Sequence, residues 1–210
     1  FVPYTASGFA ACGKLFHSLF GVDYMAAMLV SALVIVGYTI LGGFRAVTTT
    51  DLIQSIVMSL ALIAVLVYGV GVAGGWDAVV ANAQSLPGYL TMLASHNADT
   101  NTATSYSLLD IVSTMAWGLG YFGMPHILVR YLSIKSEHEM RKSQIIGCSW
   151  IVLILAMSAV VGLIGRQFLG EIDNENLIFV HMVRRLFPAF ISGVLLSAIL
   201  AAAMSTADSQ

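Results

Sequence analysis

The sequence predicts an all-α integral membrane protein with several spans. Of its 210 residues, 58% are hydrophobic and only 10% are charged, whereas a soluble domain carries about 25% charged residues. Apolar runs recur along the chain and are continuous, without the alternation of polar and apolar residues that barrel strands show. These runs approach the roughly 20 residues that a helix needs to cross a bilayer. Composition and run length together therefore favour a multi-span helical protein.

The predicted spans cover six apolar segments, at residues 1–16, 25–41, 52–72, 108–132, 145–164 and 187–206. The segment 130–144 carries four Lys or Arg residues, whereas residues 73–107 carry none. By the positive-inside rule, the former is predicted to be cytoplasmic and the latter to form an ordered outer loop. Because the chain starts at Phe1 within an apolar run and stops at Gln210 beside another, we expect an internal piece of a longer protein.

The fourth segment contains the strongest helix-breaking sequence in the chain. Gly118, Gly120, Gly123 and Pro125 fall within eight positions of a stretch, residues 111–129, that has no charged side chain. Together they disfavour a continuous helix by about 6 kcal/mol on soluble-helix scales. A helix broken at membrane depth indicates a transporter binding site. The alternative is that the glycines allow close helix packing and the proline only kinks the helix.

Two aromatic residues lie beside this predicted break. Trp117 and Tyr121 are four positions apart, so they share one face of a helix. Such a face is typical of a wall against a compact apolar group. Ordinary packing of the two rings is the alternative interpretation.

The end of the sixth segment offers oxygen ligands for a hard cation such as sodium. Ser205 and Thr206 provide adjacent hydroxyls, and Ala202 lies one turn earlier with a carbonyl that its small side chain leaves accessible. Hard cations prefer oxygen ligands. Tight helix packing by small residues is the alternative. Asp208 is expected to face cytoplasmic water at this end.

Asp51 follows three threonines ahead of the third span. Asp51 or Thr50 is predicted to cap that helix, and Asp51 is a candidate acid on a cation exit path. The sequence has no metal-ligand His/Cys spacing and no phosphate loop, so enzyme signatures are lacking. It also has no basic stretch that would bind nucleic acid. The sequence therefore does not predict an enzyme or a nucleic-acid partner.

Three motifs, in this order and spacing, resemble the sodium/solute symporter family. They are GGFRAV at residues 42–47 followed by Thr50, Asp51 and Gln54, then WGLGYFGMPH at residues 117–126, and LSAILAAAMST at residues 196–206. The second motif resembles the proline-transporting branch. The likeness covers essentially the whole chain.

The resemblance implies an inverted-repeat core of the leucine-transporter type, with core helices three to eight present in this chain and core helix six broken. It implies that Trp117, Tyr121 and Pro125 shape the substrate site and that Tyr4 of core helix three faces it. It also implies three sodium ligands and an acid that handles sodium: the hydroxyls of Ser205 and Thr206, the Ala202 carbonyl, and Asp51. Met124 stands where proline carriers often have Gln.

The function that follows is sodium-coupled symport of L-proline across the cytoplasmic membrane by alternating access. Na⁺ and L-proline are the expected ligands, and the protein is expected to be multi-pass in the lipid bilayer. One alternative is a sodium symporter for another small organic solute, such as pantothenate or a carboxylate. The other is the symporter-like membrane domain of a signalling protein.

Overall fold

The computed structural model describes residues 2–97, 100–170, 172 and 174–210. The fold in these residues is mostly helical. The helices are α1 (Val2–Phe20), α2 (Tyr24–Val72), α3 (Trp76–Ser85), α4 (Leu108–Gly120), α5 (Pro125–Leu132), α6 (Glu137–Leu169), α7 (Ile178–Leu186) and α8 (Ala189–Ser209). Short 3-10 turns precede α5 and α7, at Tyr121–Gly123 and Glu175–Leu177.

The predicted all-α fold needs one correction, which lies in the predicted outer loop. This segment contains α3 and a two-stranded antiparallel hairpin, β1 (Ala94–Asn97) and β2 (Thr102–Ser105), with Ala94 opposite Ser105. The strand residues are short, polar and Thr/Ser-rich, so they carry none of the apolar alternation that predicts a strand.

The chain folds as two compact units. One comprises the residues up to Val65 together with Val183–Gln210, and the other comprises Leu66–Met182. The first unit therefore contains α1, most of α2 and α8. The second contains α3, the hairpin, α4, α5 and α6.

The loop predicted between the second and third spans is replaced by a sharp bend in α2. Helix continues on both sides of Gly43, the one residue with non-helical dihedrals there, at φ 57° and ψ −161°. Glycine tolerates this positive φ without a steric cost. A Cβ on the neighbouring Gly42 would clash with the Cβ of Ala46. The Gly-Gly pair therefore allows the chain to bend without a loop.

The predicted cap at Thr50 or Asp51 is consequently wrong. Both residues lie inside α2, and the Thr50 hydroxyl donates to the carbonyls of Ala46 and Val47. Thr49 donates in the same way to the Arg45 carbonyl. Threonines that bond back to the preceding turn remain compatible with a helix, so the polar run does not end it.

In the first unit, α1 packs closely along α8. A Cβ placed on Gly8 would lie 3.3 Å from the Ala207 Cβ and 3.4 Å from the Ala203 carbonyl oxygen. Cys12, Ile35, Ala203 and Ala207 form a buried cluster at this contact. Small residues on both helices thus set a short separation between their backbones.

In the second unit, α3 packs on α6 and buries Val79 and Ala83. Helix α4 begins at a capping box, in which the Ser107 hydroxyl accepts from the Asp110 N–H and the Asp110 carboxylate accepts from the Ser107 N–H. The two reciprocal bonds satisfy helix donors that would otherwise have no partner. The capping box therefore fixes where the broken segment starts.

Three helices in the described part of the chain, α2, α6 and α8, are long and apolar enough to cross a membrane. Helix α2, with 49 residues, would be about 73 Å long if straight, more than twice the thickness of the bilayer core. Large apolar side chains such as Leu33, Ile40 and Phe190 are at least 74% exposed on these helices. Exposed apolar surface on this scale is typical of a protein that lies in lipid.

Candidate substrate and sodium sites

The fourth apolar segment is broken, at the residues just before Pro125. Helix α4 ends at Gly120, Tyr121–Gly123 form a 3-10 turn, and Met124 is extended at φ −76° and ψ 115°. Helix resumes at Pro125, which is the first residue of α5. The predicted departure from α-helix is therefore observed, but it starts at Tyr121, because Gly118 and Gly120 remain helical.

The physical cause of the break is Pro125. Proline has no N–H and disfavours helical dihedrals in the residue before it, so Met124 is extended and the Tyr121 carbonyl loses its usual donor. The Met124 N–H donates to that carbonyl instead, at 3.4 Å. The C-terminal end of α4 and the N-terminal end of α5 therefore meet at this break within one apolar segment.

Trp117 and Tyr121 remain on one helical face, although the break begins at Tyr121. Tyr121 keeps right-handed helical dihedrals, at φ −63° and ψ −28°, so it remains about one turn beyond Trp117. Trp117 is 62% exposed and Tyr121 is 41% exposed, and Pro125 is also exposed. These three predicted substrate residues thus lie together at the break.

Tyr4, the fourth predicted substrate residue, is part of α1 in the first unit, whereas the other three lie in the second. Tyr4 is half-buried. Its role in the substrate site stays a prediction.

Asp51 and the last two turns of α8 form the main polar cluster of the first unit. The Ser205 hydroxyl donates to Asp51 Oδ1 at 2.5 Å, and the Ser209 hydroxyl donates to Asp51 Oδ2 at 3.3 Å. The structure therefore brings together Ser205, a predicted sodium ligand, and Asp51, the predicted exit-path acid. A hydroxyl that donates its proton keeps its lone pairs, so the bond to Asp51 leaves Ser205 able to ligate a cation.

Thr206 and Ala202 form the second pair of predicted sodium residues. The Thr206 hydroxyl donates to the Ala202 carbonyl oxygen at 3.0 Å. In an ideal helix Ser205 and Thr206 differ in direction by about 100°. An ion contacting both would therefore lie beside α8, between these two directions.

Asp208 is the residue that the sequence interpretation misplaced. Instead of facing water, it is only 6% exposed, and its Oδ2 accepts a hydrogen bond from the Tyr38 hydroxyl at 2.6 Å. Tyr38 was not predicted as a site residue. An acid three residues after Ser205 was visible in the sequence, but the tyrosine that meets it is 170 residues away.

The bend at Gly43 explains how Tyr38 and Asp51 reach the same part of α8. They lie on opposite sides of the bend, and thirteen residues of straight helix would separate them by about 20 Å. Their partners, Asp208 and Ser205, are within one turn of α8. The bend therefore gathers polar groups from both parts of α2 around one helix end.

Different faces of α8 serve packing and polar contacts. Ala203 and Ala207 face Gly8 of α1, and they point roughly 160° to 200° away from Ser205 on an ideal helix. The small-residue packing interpretation therefore applies to Ala203 and Ala207. Because Ser205 points the other way, towards Asp51, the two interpretations describe separate faces and do not compete.

Within the described residues, no group of three or more His, Cys, Asp or Glu side chains gathers as a metal site. What the end of α8 offers is a set of hydroxyl, carbonyl and carboxylate oxygens. Such oxygens suit hard cations.

Comparison with known proteins adds to this geometry. Residues 1–210 match the family model described as the sodium:solute symporter family. A protein named sodium/proline symporter 2, from Staphylococcus saprophyticus, is 38% identical over 214 aligned positions, which cover 100% of this chain and 40% of the relative. A protein named sodium/proline symporter, from Staphylococcus aureus, is 36% identical with the same coverage. No solved structure is significantly similar.

The apolar helices define a mostly helical protein with three helices, among the described residues, that are long enough to cross a membrane. The chain belongs to the sodium:solute symporter family, as its three motifs predicted. It spans about two fifths of the length of the curated relatives it matches.

Proposed function

We propose that the protein is a sodium-coupled symporter that imports L-proline across the cytoplasmic membrane by alternating access. Membership of the sodium:solute symporter family supports sodium coupling. The printed names of the relatives, sodium/proline symporters that match all of this chain, support proline as the solute.

The observation that carries the proposal is the convergence of oxygens at the end of the apolar helix α8. The Ser205 hydroxyl lies 2.5 Å from Asp51 Oδ1 of α2. The adjacent Thr206 hydroxyl lies 3.0 Å from the Ala202 carbonyl oxygen of α8 itself. We assign the Ser205 and Thr206 hydroxyls and the Ala202 carbonyl to sodium. Asp51 then receives the ion as it leaves, because it already contacts the Ser205 hydroxyl.

The broken segment supplies the proline site in this proposal. Trp117 and Tyr121 form an aromatic wall for the pyrrolidine ring, and Pro125 shapes the break. The family resemblance adds Tyr4 to the substrate residues. Since residues 111–129 carry no charged side chain, backbone groups meet the zwitterion. The partial negative charge at the end of α4 suits the amine, and the partial positive charge at the start of α5 suits the carboxylate.

In the leucine-transporter-type arrangement, the helices of this chain correspond to core helices three to eight. Core helix one of the intact protein then supplies further oxygens to the ion and the second half of the substrate site. Sodium binding between core helices one and eight holds the outward-open state, and proline binding at the breaks of helices one and six follows.

The energetics of this cycle are sufficient for uptake. One inward Na⁺ gains about 2.3 kcal/mol from a potential of roughly 100 mV, and a tenfold sodium gradient adds about 1.4 kcal/mol. Each tenfold accumulation of solute costs about 1.4 kcal/mol. One ion per proline therefore supports accumulation on the order of hundreds-fold.

Met124 is the residue of the break that departs from the proline-transporting branch. It is the extended residue at the centre of the break, and proline carriers that the motif resembles often have Gln there. Met lacks the amide that Gln offers to a bound solute, so a detail of the pocket or inner gate differs. The alternative is a sodium symporter for another small organic solute, such as pantothenate or a carboxylate.

The test is uptake of a labelled panel by the full-length protein in proteoliposomes. Proline, other amino acids, pantothenate and simple carboxylates are each offered with an inward sodium gradient and with potassium in its place. The proposal predicts saturable uptake of proline that requires sodium. Sodium-dependent uptake of another solute, with none of proline, would support the alternative. No uptake of any solute, with a soluble kinase region encoded after the last span, would support the membrane domain of a signalling protein.

A further inference from the structure

Asp208 has no part in the proposed sodium set, yet it is a carboxylate buried in the last turn of α8. It is 6% exposed. Burial of a charged carboxylate is costly unless hydrogen bonds compensate for the lost water. Its contacts are therefore part of what determines the conformation of this turn.

The Tyr38 hydroxyl donates to Asp208 Oδ2 at 2.6 Å. Hydrogen bonds from a hydroxyl to a carboxylate at this distance are among the stronger ones in proteins. Tyr38 of α2 thus holds the last turn of α8 through this bond.

The end of α8 is held from three directions. Ala207 contacts Gly8 of α1, Ser205 contacts Asp51, and Asp208 contacts Tyr38. On an ideal helix Asp208 points about 60° to one side of Ser205, and Thr206 about 100° to the other. Rotation of this turn that moved Asp208 away from Tyr38 would therefore also turn the Ser205 and Thr206 hydroxyls.

We propose that Tyr38 is a positioning residue for sodium, which sets the direction of the Ser205 and Thr206 hydroxyls by holding the Asp208 carboxylate. This inference rests on the proposed assignment of those hydroxyls to sodium. Tyr38 does not ligate the ion. It fixes the helical turn that carries the ligating hydroxyls of Ser205 and Thr206.

Loss of the Tyr38 hydroxyl has a definite consequence. A buried carboxylate that loses a donor reorients towards other donors or water, and the turn that carries it moves with it. More sodium is then needed to hold the ligands in place. Saturating sodium restores the arrangement, because ion binding favours the conformation that binds the ion.

The experiment measures sodium affinity directly in the purified full-length protein. Thermal unfolding is followed across a sodium titration at constant ionic strength, with potassium as the replacement cation. The variants are Tyr38→Phe, Asp208→Ala and the double variant, with Asp208→Asn in case the alanine variant does not fold. Tyr24→Phe is the matched control, since it removes the same hydroxyl from the same helix about 21 Å away.

The proposal predicts that Tyr38→Phe raises the sodium concentration for half-maximal stabilisation roughly fivefold or more. The double variant shifts no further than the larger single change, because both substitutions break one interaction. Tyr24→Phe leaves the sodium concentration for half-maximal stabilisation unchanged. Proline uptake by Tyr38→Phe at saturating sodium keeps the parent's half-saturating proline concentration.

Two results would overturn the inference while leaving the proposed function intact. One is an unchanged sodium titration for Tyr38→Phe, even with less folded protein, since that is what a purely structural contact gives. The other is a double variant in which the sodium concentration for half-maximal stabilisation rises by the product of the two single-variant increases. If the parent does not respond to sodium, both the inference and the proposed sodium coupling fall. If the parent binds sodium but does not transport proline, only the proposed solute falls, and the Tyr38→Phe titration still decides the inference.

Discussion

At the scale of single residues, the chemistry of the sodium set depends on hydroxyl groups that keep lone pairs for an ion. Ser205 donates to Asp51 and Thr206 donates to the Ala202 carbonyl. Each hydroxyl oxygen keeps lone pairs with which it can ligate a cation. The hydroxyl itself, and not the size of the side chain, is what the proposal requires.

Thr206 provides a direct test of that requirement. Thr206→Ala should raise the sodium concentration for half-maximal proline uptake by about tenfold or more, since it removes one ligand oxygen. Thr206→Ser keeps the oxygen and should change it much less. Both are measured by sodium titration of uptake at matched expression. Identical sodium dependence in parent, alanine and serine variants would show that Thr206 only packs.

Tyr121 tests the aromatic wall at the break. Tyr121→Ala should raise the half-saturating proline concentration by roughly tenfold or more, because it removes a ring that covers the apolar part of the solute. Tyr121→Phe keeps the ring and is the matched control. Uptake at low proline is measured and normalised to the amount of protein in the membrane. Unchanged uptake by the alanine variant would show that the ring is not part of the proline site.

Some of these residues could be predicted because their chemistry is local. Adjacent hydroxyls after a small residue, or an aromatic pair four positions apart, are visible within a few residues of sequence. Asp208 was predicted to face water because an acid near a helix end usually does. Its burial depends on Tyr38, which the bend of another helix brings to it, and short-range patterns carry no information on that.

At the scale of elements, the two glycines at the bend of α2 determine where polar groups from two helical stretches meet. Sequence reasoning predicted two spans with a loop, since one apolar run ends at Leu41 and the next begins at Leu52. The structure keeps helix on both sides, because one residue with positive φ is enough for the bend and the threonines bond to the preceding turn. The break before Pro125 was predictable, since proline removes a donor wherever it occurs.

Gly43→Ala is expected to destabilise the bend. An alanine at φ 57° and ψ −161° costs of order 1–3 kcal/mol, because this region is essentially restricted to glycine. Gly37→Ala is the matched control: it lies in the same helix with open space around its Cβ position, and alanine favours helix there. The thermal stability of the purified protein is compared. Equal stability of the two variants would show that the bend does not need a glycine at position 43.

At the scale of the whole molecule, composition and the continuous apolar runs together were enough to predict a mostly helical membrane protein. The hairpin could not be predicted in the same way, because β1 and β2 are four-residue strands of small polar residues. The inverted-repeat core and the six spans stay predictions of the family resemblance. What the fold adds is the gathering of Asp51, Tyr38 and the end of α8, residues far apart in sequence, into one polar cluster.

The central claim is that proline and sodium move together through this protein. The most direct measurement is entry of radioactive sodium into proteoliposomes that contain the full-length protein, with the membrane potential clamped at zero. Addition of external proline should accelerate sodium entry in a saturable way, and Thr206→Ala should reduce that acceleration at low sodium. Proline uptake that proceeds without any proline-dependent sodium entry would contradict the account.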